Sequence, residues 1–221
     1  MKIAIISDTH DNLANFKKAI SLIKKEKIKI LIHCGDIFEP ETIKEALKDF
    51  SGKAHIVLSD VDEDYFKPRS ENLTTPPSVR ERGNVAKQVK FLLRGKHLEK
   101  DYFKDFPNLK IWKKFGEIEI SKKTTTHPPP SHSPKASGLL IAFCHSPKTA
   151  LGLAFSQKYD IVFYGHTHKP WETTPHQSKL GTGQEIRKTK LVNPGNIAGL
   201  FFKPTFAIYD IKTNKLKLCI L

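Results

Sequence analysis

Short apolar runs recur along the chain, and most end abruptly in a polar cluster. Residues 3–6, 28–32, 55–58, 139–143 and 161–163 lack the alternation of a half-exposed strand, so each is predicted to be a strand buried on both faces. Two stretches of helical period separate the first three. Residues 13–27 place Phe16, Ala19, Ile20 and Ile23 on one face with lysines opposite, and Asp11 or Asn12 can cap them. Residues 40–50 open with Pro40 in the first turn. The order β-α-β-α-β over residues 1–62 predicts a mostly parallel sheet, whose ligands bind beyond the carboxyl ends of its strands. Strand-like stretches return at 109–115 and 117–120. A short helix is predicted over 149–157, Leu191-Val192 leads into Asn193-Pro194-Gly195-Asn196, and 205–211 with 216–220 form a closing hairpin around Thr213-Asn214.

Three stretches break this pattern. Residues 67–84 are rich in Pro, Ser, Thr and charge and read as a loop, followed by a basic helix over about 85–97 with Val85, Val89 and Leu92 at helical spacing. Residues 121–138 hold a Thr/Pro/Ser tract with nothing to bury, so His127 and His132 within it are poor ligand candidates. Residues 174–190 are polar, Gly-rich and basic and read as an exposed loop or hairpin tip. The tetrapeptide Asp64-Tyr65-Phe66-Lys67 returns as Asp101-Tyr102-Phe103-Lys104, by chance or as the two edges of an insertion.

Charge follows the same division. The formal net charge is +14. Residues 67–100 carry +6, and 121–138 and 174–190 carry +3 each, so the three stretches hold +12 and the scaffold is nearly neutral. The excess implies either an anionic partner, such as nucleic acid, a membrane surface or a phosphorylated substrate, or a lysine-rich solvated surface. The length, 221 residues, suits one large domain. Cys34, Cys144 and Cys219 form no CxxC pair, which fits reduced thiols in a cytoplasm; the first two end apolar runs and read as small core residues. The N-terminal apolar run is broken at Asp8 and reads as a strand rather than a signal peptide, and no apolar stretch reaches the ~18 residues of a membrane span.

The chemistry sits where the strands stop. Asp8-X-His10, Gly35-Asp36, Asp60, His145 and His166-X-His168 offer three carboxylates and four imidazoles, all just after apolar runs. His166-X-His168 alone is weak, a polar loop as readily as a ligand pair. The full set suits Mn, Fe, Zn, Ni or Co without ranking them. Seven such side chains exceed what one ion with open positions takes. They suit two ions sharing a carboxylate, the arrangement that clamps the attacking and leaving oxygens of a phosphoryl displacement.

In order and context these motifs resemble those of the calcineurin-like metallophosphoesterases, above all the small archaeal and bacterial phosphodiesterases, over residues 1–66, 99–120 and 139–221. The matching stretches are Asp8-Thr9-His10, Gly35-Asp36, Ser59-Asp60-Val61-Asp62, His145, Gly165-His166-Thr167-His168 and Asn193-Pro194-Gly195. The resemblance implies a four-layer α/β/β/α sandwich of two mixed sheets flanked by helices, with the basic insertions (about 67–98, 121–138 and 174–190) interrupting a single domain. It implies a phosphoesterase, with a phosphodiester the expected phosphate-ester substrate, and two divalent transition-metal ions, manganese first among them. Asp8, His10 and His168 are expected to hold one ion, Asp60, His145 and His166 the other, and Asp36 to bridge; a hydroxide between the ions is the expected nucleophile. Asp36, Asp60 and His145 are the expected catalytic residues, and Asn193 to Gly195 a supporting turn. His33 reads as structural.

Two positions depart from the family pattern. Ser59-Asp60 stands where Gly-Asn is usual; Asp60 can still bind metal, with Asp62 as the competing ligand. Val61 stands where many members carry a histidine that protonates the leaving group, which favours acidic leaving groups. Two other functions compete: a scaffold that keeps the fold without chemistry, against which the four retained imidazoles argue, and a nuclease whose basic insertions grip phosphates.

Overall fold

A computed structural model describes residues 1–66, 103–121, 138–174 and 189–221. The predicted loop at 67–84, the helix at 85–97 and all but the edges of the other two basic stretches lie outside the described residues.

Strand β1 (Lys2–Ile6) is followed by α1 (Leu13–Lys25), β2 (Ile30–His33), α2 (Pro40–Leu47), β3 (Lys53–Val57) and α3 (Asp60–Phe66). Asn12 caps α1 by accepting from the Asn15 N–H at 3.1 Å, and Lys24 and Lys25 in the last turn suit the negative end of the helix dipole. Then come β4 (Leu109–Trp112), β5 (Phe115–Ile120), β6 (Leu139–Cys144), α4 (Pro147–Phe155), β7 (Ile161–Phe163), β8 (Trp171–Thr173), β9 (Lys190–Asn193), β10 (Thr205–Asp210) and β11 (Lys215–Ile220).

The strands form two sheets, ordered β11-β10-β1-β2-β3-β4 and β5-β6-β7-β9-β8. In the first, β1 to β4 are parallel while β10 and β11 are antiparallel. In the second, β6, β7 and β9 are parallel and the edges β5 and β8 antiparallel. Both sheets are therefore mixed. The parallel sheet expected from the first 62 residues is one part of the first sheet, which β4, β10 and β11 complete, while β5 to β9 pair among themselves.

Three apolar layers hold the sandwich together. Ile3, Ile5, Ile32 and Val57 of the first sheet meet Ile141, Phe143, Ile161, Phe163 and Val192 of the second. Phe16, Ala19, Ile20 and Ile23 of α1, with Ile43, Ala46 and Leu47 of α2, cover the outer face of the first sheet. Ala150 and Ala154 of α4 pack over Ala142, Val162 and Leu191 on the outer face of the second. Strands covered on both faces need continuous apolar runs, which is why their sequences do not alternate. Each fully buried Ile or Phe adds about 1.5–3 kcal/mol, and truncation of one such as Ile5 to alanine costs about 2–5 kcal/mol.

Two elements differ from the sequence expectation. Residues 60–66 form α3, where the sequence shows only a polar cluster after the third strand; Asp60, Asp62 and Glu63 in its first turn suit the positive end of the helix dipole. Trp171–Thr173 forms the edge strand β8, too short to show periodicity. Phe66 and Phe103, equivalent members of the repeated tetrapeptide, stack with ring centroids 6.3 Å apart, so the two residues that flank 67–102 meet on the helix side of the first sheet. Among the described residues no helix is long and apolar enough to cross a membrane.

Candidate metal centre

The loops after β1, β2, β6 and β7 converge, and their backbones are strained. Asp8, His10, Asp11, Asp36, His166 and His168 all have positive φ, between 45° and 73°. Side chains other than glycine rarely adopt this region, at a cost of about 1–2 kcal/mol each, and surrounding structure must hold them there. Here it is supplied by bonds between loops. The Asp8 N–H donates to the Gly35 carbonyl (2.9 Å), those of Thr9 and His10 donate to the Asp36 carbonyl (2.8 and 3.0 Å), and that of Asp11 donates to Ile37 (3.0 Å). The Gly165 N–H donates to the His145 carbonyl at 3.1 Å. The His166 N–H donates to both Asp8 carboxylate oxygens, at 3.0 and 3.2 Å. Gly165 permits this approach: a Cβ there would collide with Ser7 Oγ and lie 2.9 Å from Asp8 Oδ2.

Two groups of ligand atoms result. Asp8, His10, Asp36 and His168 form one; Asp36, His145 and His166 form the other. Asp36 belongs to both. In the first, His10 Nε2 and His168 Nε2 are 3.1 Å apart, and His168 Nε2 is 3.4 Å from Asp8 Oδ1. In the second, His145 Nε2 lies 3.2 Å from His166 Nδ1 and 3.4 Å from Asp36 Oδ2. Neighbouring ligands bonded at ~2.0–2.2 Å to one ion stand about 3.0–3.4 Å apart, so these separations fit cation-binding edges. Two further features fit. Asp36 Oδ1 is buried without a hydrogen bond. His145 Nδ1 donates to the Cys34 carbonyl at 2.9 Å, which leaves the Nε2 lone pair facing the site.

Electrostatics without an ion show how closely these groups are packed. Burial works against the charged forms of Asp36 and His145, but their mutual hydrogen bond and attraction outweigh it. The Asp36 carboxyl is held down to about 2 and the His145 imidazole pushed up to about 9. His168 is raised by its hydrogen bond to Asp8, whereas burial lowers His10. An Asp36 carboxylate kept ionised beside imidazoles suits a site for a divalent cation.

Behind the ligands sit residues that hold the loops. His33 accepts the Gly35 N–H on Nδ1 at 3.1 Å, so its Nε2 carries the proton and donates to Thr9 Oγ1 at 2.7 Å. It is fully buried, and burial lowers its pKa to about 3. Asn193 donates to the Gly165 carbonyl and to Thr167 Oγ1, while Asn196 donates to the His168 carbonyl. Asp11 Oδ1 accepts from the Glu39 N–H and the Thr42 hydroxyl, tying the first loop to the start of α2.

Of the seven residues expected from the sequence, the structure brings Asp8, His10, Asp36, His145, His166 and His168 into these two groups. Asp60 joins neither; it opens α3 and is exposed. Its neighbour explains the difference. The buried Asp62 carboxylate accepts the N–H groups of Asp36, Ile37, Phe38 and Ser59 at 2.7–3.0 Å. That fixes the turn after β3, starts α3 at residue 60 and occupies both oxygens of Asp62, so Asp62 is a brace rather than the alternative ligand. Sequence reasoning did not identify Asp62 as a brace, nor the role of Asn196. Asn196 follows a Pro-Gly turn, where an Asn that bonds nearby backbone is common, and this was the available signal.

The family model of the calcineurin-like phosphoesterase superfamily domain matches residues 1–214. A phosphodiesterase of Methanocaldococcus jannaschii is 28% identical over 218 residues, which span 97% of this chain and 96% of that protein. The structure of an archaeal phosphodiesterase superposes with a TM-score of 0.63 at 23% identity, covering 100% of both chains. The E. coli phosphoesterase YfcE gives 0.51 at 14% identity over 100% of this chain and 99% of that one, and zinc-bound Vps29 of Entamoeba histolytica gives 0.51 at 14% over 99% and 90%. At such identities the superpositions speak for the fold alone. The family match runs from β1 to the β10–β11 turn and takes in every ligand loop, and on it the chain belongs to the calcineurin-like phosphoesterase superfamily.

Proposed function

We propose that the protein is a metal-dependent phosphodiesterase that uses two divalent transition-metal ions. Asp8, His10, Asp36 and His168 would hold one ion, Asp36, His145 and His166 the other. The observation that carries this reading is that Asp36 belongs to both ligand groups. The mixed carboxylate and imidazole set suits Mn, with Fe, Ni, Zn and Co also compatible. When bound, such ions supply charge neutralisation at phosphoryl oxygens and acidify coordinated water.

The protein's own residues supply the rest. Asp36 stays ionised in a partly buried site and contributes to the local charge that a cation must balance. The Cys34 carbonyl fixes the His145 tautomer, and hydrogen bonds between loops hold the backbone of the turns at His10, His166 and His168 in place. Preorganisation of this kind lowers the reorganisation needed during reaction. Val61, at the position where many relatives of this superfamily carry a proton-donating histidine, has no proton to give a leaving group. Diesters with acidic alcohols as leaving groups are therefore favoured over alkyl esters. The retained imidazoles speak against a scaffold without chemistry.

The purified protein is expected to carry two transition ions per chain by elemental analysis and to hydrolyse bis(p-nitrophenyl) phosphate with added manganese. His166→Ala should lower kcat/KM by more than the 10–100-fold typical of losing an outer partner of a metal ligand. Absence of metal, or undiminished turnover in His166→Ala, would sink the assignment.

A further inference from the structure

Beside the ligand groups stands a phenylalanine that neither the core nor the metal centre uses. Phe201 is 91% exposed, more than any other large apolar side chain among the described residues. Its ring centroid lies 5.8 Å from that of His168. Its backbone is as strained as the ligands': φ is 63°, and the Phe202 N–H donates to the Leu200 carbonyl at 2.7 Å, closing a γ-turn with Phe201 at its tip. A γ-turn of positive φ is rare and strained, and a bulky side chain there is an outlier. The turn is clamped from below. Asn196 Oδ1 accepts the N–H groups of Gly199 and Leu200, at 2.5 and 3.0 Å, while its Nδ2 donates to the His168 carbonyl. One asparagine thus holds both a ligand loop and the loop that presents Phe201. On the other side of the imidazole pair, Phe38, also at positive φ (82°), packs edge-on against His10 at 4.8 Å.

Exposing an aromatic ring in a strained turn forfeits burial and adds backbone cost. Such strain persists where it serves a function. Core packing does not explain it, since the ring is almost wholly in water. Its position next to His168 does: a flat apolar face at the rim can stack on a planar group of a bound ester.

Building on the phosphodiesterase reading, we propose that Phe201 is a stacking wall for the substrate, and that the substrate is a phosphodiester carrying a planar aromatic substituent such as a nucleobase or aryl ring. Phe201 touches no reacting atom in this role; it determines specificity through binding.

Phe201→Ala and Phe201→Leu test this; the second keeps apolar bulk without a π face. With bis(p-nitrophenyl) phosphate, both variants should show KM raised about tenfold, the lower part of the range for loss of one stacked ring, with kcat within about twofold and metal content unchanged. Phe201→Trp should restore KM. Unchanged KM in Phe201→Ala, or full rescue by leucine, overturns the proposal. A binding measurement separates it from the activity assignment. Relative to wild type, the fluorescence added by Phe201→Trp should be quenched by phenyl phosphate or thymidine monophosphate and not by methyl phosphate. Equal quenching by methyl phosphate, or none by either aromatic ester, counts against the stacking role. If quenching is selective but no diester is hydrolysed, the stacking wall stands and the phosphodiesterase reading falls.

Discussion

His33 shows how much a single residue beyond the ligands decides. It spans two ligand loops, accepting from Gly35 and donating to Thr9, and only the neutral imidazole can do both. Burial lowers its pKa to about 3, whereas in the unfolded chain it has the ordinary value near 6.5. The folded state therefore binds fewer protons between these values. His33's contribution to stability is complete above about pH 6.5 and is lost as pH falls towards 3. His33→Asn keeps an acceptor for Gly35 but cannot reach Thr9, and should cost about 1–3 kcal/mol at pH 7. Urea denaturation of metal-free protein should show that deficit shrinking as pH falls from 6.5, because the variant has no buried imidazole to protonate. A deficit constant down to pH 4 would mean that His33 acts through packing alone. Asp62 carries a similar lesson. Its position beside Asp60 made it a plausible ligand, yet its partners are four backbone N–H groups that no local pattern reveals.

At the scale of elements, the site depends on four strand ends brought within hydrogen-bonding distance across two sheets. β1 and β2 belong to one sheet, β6 and β7 to the other. Gly165 lies where they cross, against Ser7, Asp8 and the Cys34 carbonyl. A methyl group there must push β7 away from β1. Gly165→Ala is expected to destabilise the protein by about 1–3 kcal/mol through overpacking. It should weaken metal binding as well, because the His166 N–H would leave the Asp8 carboxylate. Thermal denaturation with and without manganese, alongside calorimetric titration of the metal, checks both. Wild-type metal affinity in Gly165→Ala would show that the ligand loops do not need this contact. The short helix α3 belongs to the same scale. Its start reads in the sequence as a polar cluster at a strand end, because an acidic stretch without apolar period gives no helical signal before Asp62 finds its partners.

At the scale of the molecule, strand register shows where the chain flanks two of the basic stretches. Ile120 pairs with Leu139 and Thr173 with Leu191, while Phe115 pairs with Cys144 at the other end of β5 and β6. The described residues that flank two of the basic stretches, Ile120 with Leu139 and Thr173 with Leu191, thus lie at the pole of the second sheet opposite His145. Five residues of strand separate that pole from the ligands, about 17 Å. Replacing Lys122, Lys123, Lys179, Arg187 and Lys188 with alanine should lower the salt concentration that elutes the protein from heparin. kcat/KM for bis(p-nitrophenyl) phosphate should stay within about twofold. A parallel fall in both would place the charge at the site and favour a nuclease reading.

The sequence by itself determined where the buried strands run, since strands covered on both faces must be continuously apolar. It also determined which residue types wait at their ends, and the ordered set from Asp8 to His168 was legible there without any structure. Pairing was not legible. Two mixed sheets and one parallel sheet share the same local pattern, because an apolar run does not encode its neighbour. Nor was the fate of each polar residue. Asp60 and Asp62 are both carboxylates in one acidic stretch, and only the tertiary fold, by aiming four backbone N–H groups at the second, turned the first to solvent. Phe201 belongs with them. Its sequence reads as one more apolar residue after Leu200, and only the turn clamped by Asn196 lifts it beside His168.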